Sequence, residues 1–117
     1  MTMANELATK HCAPCESGTP PLTRTQAEAH LAQVPEWKLV EGEKLKIQRR
    51  FTFKDFRQAM AFVNSVAGVA ETEGHHPDIR ISWNRVTLDL LTHAIGGLSE
   101  NDFIMAAKIA ELEQPEP

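Results

Sequence analysis

The chain has few cysteines, no long apolar run and little net charge, and each of these absences narrows the possible functions. Its 117 residues include two cysteines and carry a formal net charge of -4. This weak acidic balance offers no basic surface for nucleic acid or an anionic membrane. No apolar stretch approaches the roughly 20 residues that a helix needs to cross a bilayer. The first residues, MTMANELATKH, lack the blocks of a secretion signal, so we expect a cytoplasmic protein with one small domain.

The two cysteines, Cys12 and Cys15, lie close together in the stretch KHCAPCESGTPP. A structural zinc ion requires four ligands, and the chain has no second cysteine-rich segment to complete the set. A thioredoxin-like pair would open a helix after a strand, whereas this pair lies among proline, glycine and serine. We interpret both as reduced thiols in a mobile or loosely docked tail, with a metal site as the alternative.

Hydrophobic periodicity predicts three helices. Residues 1–22 are expected to form a flexible leader, residues 23–113 one domain, and residues 114–117 a C-terminal tail. A first helix follows a capping threonine near position 23 and stops at Pro35. A longer amphipathic pattern begins near Asp55 and ends at Gly74. The last helix begins at LSEND, where Ser99 and Asp102 have the spacing of a capping box.

Two alternating stretches between these helices predict β-hairpins. The first, WKLVEGEKLKIQRRFTF, turns at Glu41–Gly42, and the second pairs DIRIS with VTLDLL around WNR. The order helix, two strands, helix, two strands, helix predicts an α+β fold, αββαββα. We therefore expect a single four-stranded antiparallel sheet with three helices packed on one face.

Two adjacent histidines lie where the second helix must end, in the stretch ETEGHHPDI. Neighbouring side chains cannot share a face within a helix or a strand. The break at Gly74 frees both rings from helical geometry, and a bend between His75 and His76 can direct both towards one cavity. Glu71, four residues before His75, lies on the same side of the last turn and can orient a ring.

The second hairpin brings a third histidine to the pair. If Asn84–Arg85 is a two-residue turn, an antiparallel ladder places His93 opposite His76 and Thr92 opposite Pro77. A three-residue loop would place His93 opposite His75 instead. Either register brings three imidazoles and a glutamate together, with Asp102 near enough in sequence to be a further partner of His93.

Three imidazoles beside carboxylates are suited to proton transfer at neutral pH, because one ring can donate a proton while its neighbour accepts one. Three histidines, or two with Glu71, could instead bind zinc, although neither HExxH nor another close metal spacing is present. In a purely structural alternative, the rings cap a helix and bind backbone. Taken singly, Trp83 and Asp102 suit core packing and helix capping better than chemistry.

These residues, with their spacing, resemble the pattern of the pterin-4a-carbinolamine dehydratase family. The pattern is Glu71, His75–His76–Pro77, Trp83, His93 and Asp102, where the family has Trp or Tyr at position 83. The segments FKDFRQAMAFVNSVA, NRV and THAIGGLSENDF also resemble the family, and the likeness covers about residues 22–113. The leader with its two cysteines resembles that of bacterial members.

The resemblance implies the αββαββα fold and a hydro-lyase reaction, the dehydration of 4a-hydroxytetrahydropterin to quinonoid dihydropterin and water. This step recycles the pterin of aromatic amino acid hydroxylases. The resemblance also implies that His75, His76 and His93 surround the pterin, with His76 as the principal acid or base. Glu71, Pro77, Thr92, Trp83 and Asp102 complete the expected substrate site. We expect no metal and no separate cofactor, since the substrate is itself an oxidised pterin cofactor.

Ile79 departs from some family members, which have an aromatic residue two positions after the proline. Family members are commonly homodimers or homotetramers, and an uncovered sheet edge could pair with a second copy. An aromatic amino acid hydroxylase is a possible partner in the same pathway. The first alternative function is a non-catalytic dimerisation or assembly partner, as animal members assist a homeodomain transcription factor. The second is a metal enzyme with histidine ligands.

Overall fold

A computed structural model of the chain describes residues 6–13 and 18–112. Its helices are α1 (Arg24–Leu31), α2 (Phe56–Glu73) and α3 (Glu100–Ala110), and its strands are β1 (Lys38–Val40), β2 (Lys46–Thr52), β3 (Asp78–Ser82) and β4 (Arg85–Leu90). Short 3-10 helices lie at Glu6–Thr9 and His93–Ile95. The strands form one sheet in the order β1-β2-β4-β3, and each neighbouring pair is antiparallel. The predicted α+β fold is confirmed.

The helices begin and end where side-chain chemistry satisfies their free backbone groups. Thr23 precedes α1 and its hydroxyl accepts a hydrogen bond from the Gln26 amide at 3.1 Å. The carboxylate of Asp55 caps α2 by accepting from the Gln58 amide at 2.9 Å. At the other end of α2, Gly74 adopts a left-handed φ of 67°, which costs glycine little because it has no Cβ. Local sequence therefore determines the length of α2.

The core lies between the helices and one face of the sheet. Alternate residues of β2 and β4 point into it, as expected for strands with a period of two. Helix α3 is buried along most of its length, because α1, α2, β4 and the N-terminal 3-10 helix all contact it. The largest fully buried apolar side chains are those of Phe103, Ile47, Leu88, Leu90, Leu98, Ile104, Met105, Ile109, Val66 and Val86.

The N-terminal segment does not behave as the predicted flexible leader over residues 6–13. Leu7 and Ala8 are buried in the core, and the Lys108 ammonium donates a hydrogen bond to the Ala8 carbonyl at 2.9 Å. Apolar burial by two residues of a short segment leaves no periodic pattern in the sequence. Cys15 and the tail 114–117 lie outside the described residues. Among the helices that the structure describes, none is long and apolar enough to cross a membrane.

Candidate active site

The end of α2 separates the two adjacent histidines from the helix. The Gly74 amide and the His75 amide both donate to the Ala70 carbonyl, at 2.8 and 3.2 Å. The left-handed turn at Gly74 then directs the chain away from the helix axis, and Pro77 leads into β3. As predicted, the helical constraint on the two rings is removed by a glycine.

His75 is held by a buried carboxylate. Its Nε2 atom lies 2.6 Å from Oδ1 of Asp102, and their side chains are 12% and 0% exposed. The other oxygen, Oδ2, accepts from the Thr92 hydroxyl at 2.9 Å and from the Ser99 amide at 3.0 Å. Because an ionised carboxylate only accepts hydrogen bonds, Nε2 of His75 carries a proton in this arrangement and Nδ1 is left to accept one. The carboxylate thus fixes both the orientation and the tautomer of the ring.

His76 is paired with Glu71 on the outer side of the same turn. Its Nε2 atom lies 2.6 Å from Oε2 of Glu71, and the two side chains are 58% and 77% exposed. Glu71 therefore orients a histidine, as predicted, although the partner is His76. Solvent therefore reaches this pair readily.

His93 reaches the same region from the segment after β4. It begins the short 3-10 helix His93–Ile95, which follows Thr92. Its Nε2 atom is 3.9 Å from Oδ1 of Asp78, and the side chains are 65% and 57% exposed. This separation is too long for a hydrogen bond, so His93 is the least constrained of the three rings.

All three histidines line one cavity of about 500 Å³, which we call the histidine pocket. This volume lies within the range of about 300–1,000 Å³ that is usual for small-molecule sites. The structure therefore brings together the three imidazoles that the sequence singled out. The other residues that line the pocket are Cys12, Ala13, Glu73, Gly74, Leu91, Thr92, Ala94 and Asn101.

The predicted partner of Asp102 was wrong. The sequence placed Asp102 beside His93, but its carboxylate binds His75 and Thr92 instead. The predicted hairpin register was also wrong, since Ser82 pairs with Arg85 and the turn lies at Trp83–Asn84. The ladder ends at Leu90, and Thr92 instead forms a bridge with Gly97. His93 thus enters the pocket through a local turn and not as a ladder partner of His75 or His76.

Trp83 does not belong to the histidine pocket. It lies at the tip of the β3–β4 hairpin, has a left-handed φ of 53° and is 65% exposed. The five residues of β3 separate it from Pro77, a length of about 16 Å. The predicted core packing of Trp83 is therefore wrong, and its predicted substrate contact would lie outside the histidine pocket of the same copy. Pro77 is half-buried and does not line the pocket either.

Sequence reasoning missed seven residues that line the pocket, namely Cys12, Ala13, Glu73, Gly74, Leu91, Ala94 and Asn101. The leader contacts are separated in sequence by 61 to 89 residues, and no local pattern reports such contacts. The one available signal for Glu73 was its position, because it lies in the stretch ETEGHHPDI directly before Gly74 and the two histidines. Within residues 6–13 and 18–112, no group of three or more histidine, cysteine or acidic side chains has the geometry of a metal site.

A small antiparallel α+β domain with three histidines in one pocket defines a class of protein suited to acid–base chemistry on a small molecule. The family model for pterin 4 alpha carbinolamine dehydratase matches residues 20–112. A provisionally named pterin-4-alpha-carbinolamine dehydratase of Nitrosomonas eutropha is 49% identical over 93% of this chain and 95% of its own length. A provisionally named one of Azoarcus sp. is 46% identical over 94% and 93%.

Two solved structures have the same fold. The transcriptional coactivator/pterin dehydratase from Brucella melitensis is 37% identical, with a TM-score of 0.72 over 77% of this chain and 95% of its own. A pterin dehydratase-like protein described as a RuBisCO assembly factor in the alpha-carboxysome is 25% identical, with a TM-score of 0.55 over 63% and 84%. The chain belongs to the pterin 4 alpha carbinolamine dehydratase family. The predicted family is confirmed, and so is the prediction of an enzyme, since these relatives are named as dehydratases, which are hydro-lyases.

Proposed function

We propose that this chain dehydrates 4a-hydroxytetrahydropterin to quinonoid dihydropterin and water by general acid–base catalysis in the histidine pocket. The reaction breaks the bond between C4a and the hydroxyl oxygen, which leaves as water after it accepts a proton. The N5 lone pair forms the new double bond to C4a, and N5 then loses its proton. One proton is given and one is taken, so the overall change is the loss of one water molecule.

The observation that carries this proposal is that His75, His76 and His93 line one cavity of about 500 Å³. A flat bicyclic ring bound in that cavity would lie close to imidazoles that can carry out both proton transfers. General acid–base catalysis of a proton transfer typically contributes about 10²–10⁴-fold to the rate. Asp102 and Glu71 each hold one ring by a 2.6 Å contact. Such contacts hold each ring in a defined orientation.

We assign the principal acid–base role to His76, and the second transfer to His75 or His93. His76 is half-exposed and can reload its proton from solvent, whereas His75 is held in one tautomer by Asp102. Thr92 and Asp102 act through His75, and Glu71 acts through His76. We propose no metal and no separate cofactor, because the histidines and carboxylates supply both proton transfers.

The test is the rate at which purified protein accelerates the decay of enzymatically generated carbinolamine. His76→Ala should remove most of the acceleration, and His75→Ala and His93→Ala should each remove part of it. The pH profiles of the three variants should differ, because the group that donates and the group that accepts titrate on opposite limbs. Chelator should change nothing. Activity that is lost to chelator and restored by zinc would contradict the proposal and favour a metal enzyme.

We further propose that the chain acts in the cytoplasm as a homodimer or homotetramer and recycles the pterin of an aromatic amino acid hydroxylase. Strand β3 lies at the edge of the sheet, and its free backbone groups could pair with a second copy. Sedimentation analysis at micromolar concentration tests the assembly. A monomer with full dehydratase activity would contradict it.

A non-catalytic assembly role is the second candidate, because the two structural neighbours are described as a transcriptional coactivator and an assembly factor. The histidine pocket argues for the enzyme, since an assembly surface has no need of three imidazoles beside paired carboxylates. A folded, oligomeric protein without any dehydratase rate would favour the assembly role.

A further inference from the structure

One wall of the histidine pocket comes from the N-terminal leader. Cys12 and Ala13 line the pocket together with the three histidines, and we call residues 11–13 the leader wall. The family model matches residues 20–112, so this wall lies outside the matched segment. The pocket is therefore completed by residues that precede the segment matched by the family model.

Glu73 holds the first half of the leader wall. Its Oε1 atom accepts from the Cys12 amide at 2.8 Å, and its Oε2 atom lies 3.0 Å from Nδ1 of His11. The ammonium of Lys108 is 3.6 Å from the same Oε2 atom, and the glutamate side chain is almost fully buried. A buried carboxylate with charge-assisted hydrogen bonds gives a well-defined geometry. Glu73 is the last residue of α2, two positions before His75.

Asn101 holds the second half through both ends of its amide. Its Oδ1 atom accepts from the Ala13 amide at 3.0 Å, and its Nδ2 group donates to the Ala13 carbonyl at 2.6 Å. The Cys12 thiol lies 3.6 Å from the Asn101 carbonyl. Asn101 immediately precedes Asp102, which orients His75. The first turn of α3 thus holds both the leader wall, through Asn101, and the ring of His75, through Asp102.

We propose that Glu73 and Asn101 are positioning residues that press the leader wall against the bound pterin. The proposal rests on the proposed function of the same pocket. Cys12 and Ala13 line the same pocket as the three histidines, so the position of the leader wall determines the space that is left for the substrate. It therefore sets how tightly the substrate is retained, while the histidines set the rate of the chemical step.

The leader has a second anchor, which shares only Lys108 with these contacts. Leu7 and Ala8 are buried, and Lys108 donates to the Ala8 carbonyl at 2.9 Å. Loss of Glu73 or Asn101 should release residues 11–13 while the 3-10 helix Glu6–Thr9 remains docked. The variants can then be compared with the wild type as folded proteins.

The experiment measures KM, kcat and biopterin binding for Glu73→Gln and Asn101→Ala in the full-length chain. Glu43→Gln is the matched control, because Glu43 is exposed in the β1–β2 turn. Hydrogen exchange of the Cys12 and Ala13 amides reports whether the wall is released. Ala13→Trp is a second kind of variant, since it places bulk in the pocket without removing an anchor. Biopterin fluorescence gives the dissociation constant without any need for turnover.

We expect Glu73→Gln and Asn101→Ala to raise KM and the biopterin dissociation constant by about tenfold, because each variant loses hydrogen bonds that hold the leader wall. The value of kcat should stay within about twofold, since the acid–base groups are untouched. Ala13→Trp should weaken biopterin binding at least as much. The Cys12 and Ala13 amides should exchange faster in the two anchor variants and normally in Glu43→Gln.

Faster exchange with unchanged KM and unchanged biopterin binding would overturn the proposal, because the wall would then be structural only. A fall in kcat with unchanged KM would also overturn it. If Glu73→Gln or Asn101→Ala does not fold, the Ala13→Trp variant provides the test. Unchanged biopterin binding by Ala13→Trp would then overturn the proposal. A wild type that binds biopterin but has no dehydratase rate would contradict the proposed function alone. The leader wall would then still stand if the variants weaken biopterin binding.

Discussion

His75 and Asp102 form a buried pair whose Nε2 and Oδ1 atoms are 2.6 Å apart. The two residues come from different elements, the loop after α2 and the first turn of α3. Since Asp102 is also bonded to Thr92 and to the Ser99 amide, its position does not depend on His75 alone. The pair therefore links helix capping to the chemistry of the pocket.

Asp102→Asn should lower kcat by about 10²-fold, because His75 loses the carboxylate that fixes the orientation and the tautomer of its ring. The free energy of unfolding should fall by about 1–3 kcal/mol, since the Thr92 and Ser99 donors lose an ionised acceptor. Steady-state kinetics and urea denaturation measure both effects.

The matched control for Asp102→Asn is Glu100→Gln, which removes an exposed carboxylate from the same turn of α3. It should leave kcat unchanged. The double variant His75→Ala with Asp102→Asn should be no slower than His75→Ala alone, because Asp102 acts through that ring. Additive losses would show that Asp102 acts on another group.

Glu73 should make the protein sensitive to acid. Hydrogen bonding from the Cys12 amide lowers its pKa below the ordinary value of 4.5, against the opposing effect of burial, and His11 and Lys108 lower it further. A lowered pKa in the folded state contributes stability that is fully present above the unfolded pKa and is lost as the pH falls through the folded pKa. We expect Glu73→Gln to flatten the acid limb of the stability curve, because it removes the carboxylate whose stabilising contribution is lost as the pH falls below its unfolded pKa. Urea denaturation of Glu73→Gln and of the control Glu43→Gln, measured at a series of acidic pH values, tests this expectation. Coincident curves of unfolding free energy against pH for the two variants would contradict it.

Trp83 should be dispensable for substrate binding by a single chain. Trp83→Asn should leave KM unchanged and raise the free energy of unfolding by about 0.5–1 kcal/mol, because asparagine tolerates the left-handed φ better than a bulky ring. Trp37 is buried, so the remaining fluorescence should shift to shorter wavelength. A large rise in KM would instead place Trp83 at a site shared between copies.

Asp89 should stabilise the sheet through a buried charge cluster. Burial raises its pKa, but hydrogen bonds from Arg80, Lys46 and Gln48 outweigh burial and lower it. Asp89→Asn should cost about 1–3 kcal/mol of stability. Asp78→Asn makes the same chemical change at the facing, half-exposed position of β3, and it should cost much less. Equal losses would show that the cluster adds nothing specific to Asp89.

The helices, the strands and the grouping of the three histidines could be predicted from the sequence, because capping residues and hydrophobic periodicity are local signals. Helices α1 and α2 begin after Thr23 and Asp55, and α2 ends at Gly74, where short-range chemistry predicts. The hairpin register was not predictable in this way. The turn includes Trp83, a residue type that seldom adopts positive φ. A turn at Asn84–Arg85 was therefore predicted, which would pair residue 83 with residue 86, whereas Ser82 pairs with Arg85 in the structure.

The leader wall could not be found from the sequence either. Its contacts with Glu73 and Asn101 join residues that are 61 and 88 positions apart, and each depends on the finished packing of α2 and α3. The choice of His75 over His93 as the partner of Asp102 has the same origin. It depends on where the Thr92–Gly97 bridge directs the chain.

The left-handed turn at Gly74 also restricts how this site can change in evolution or in design. One residue inserted into the last turn of α2 would rotate everything before it by about 100° relative to the loop. Glu71 and Glu73 would then face away from His76 and from the leader, although all the same amino acids would be present. The interval between these glutamates and the histidines is therefore as much a part of the catalyst as the side chains themselves.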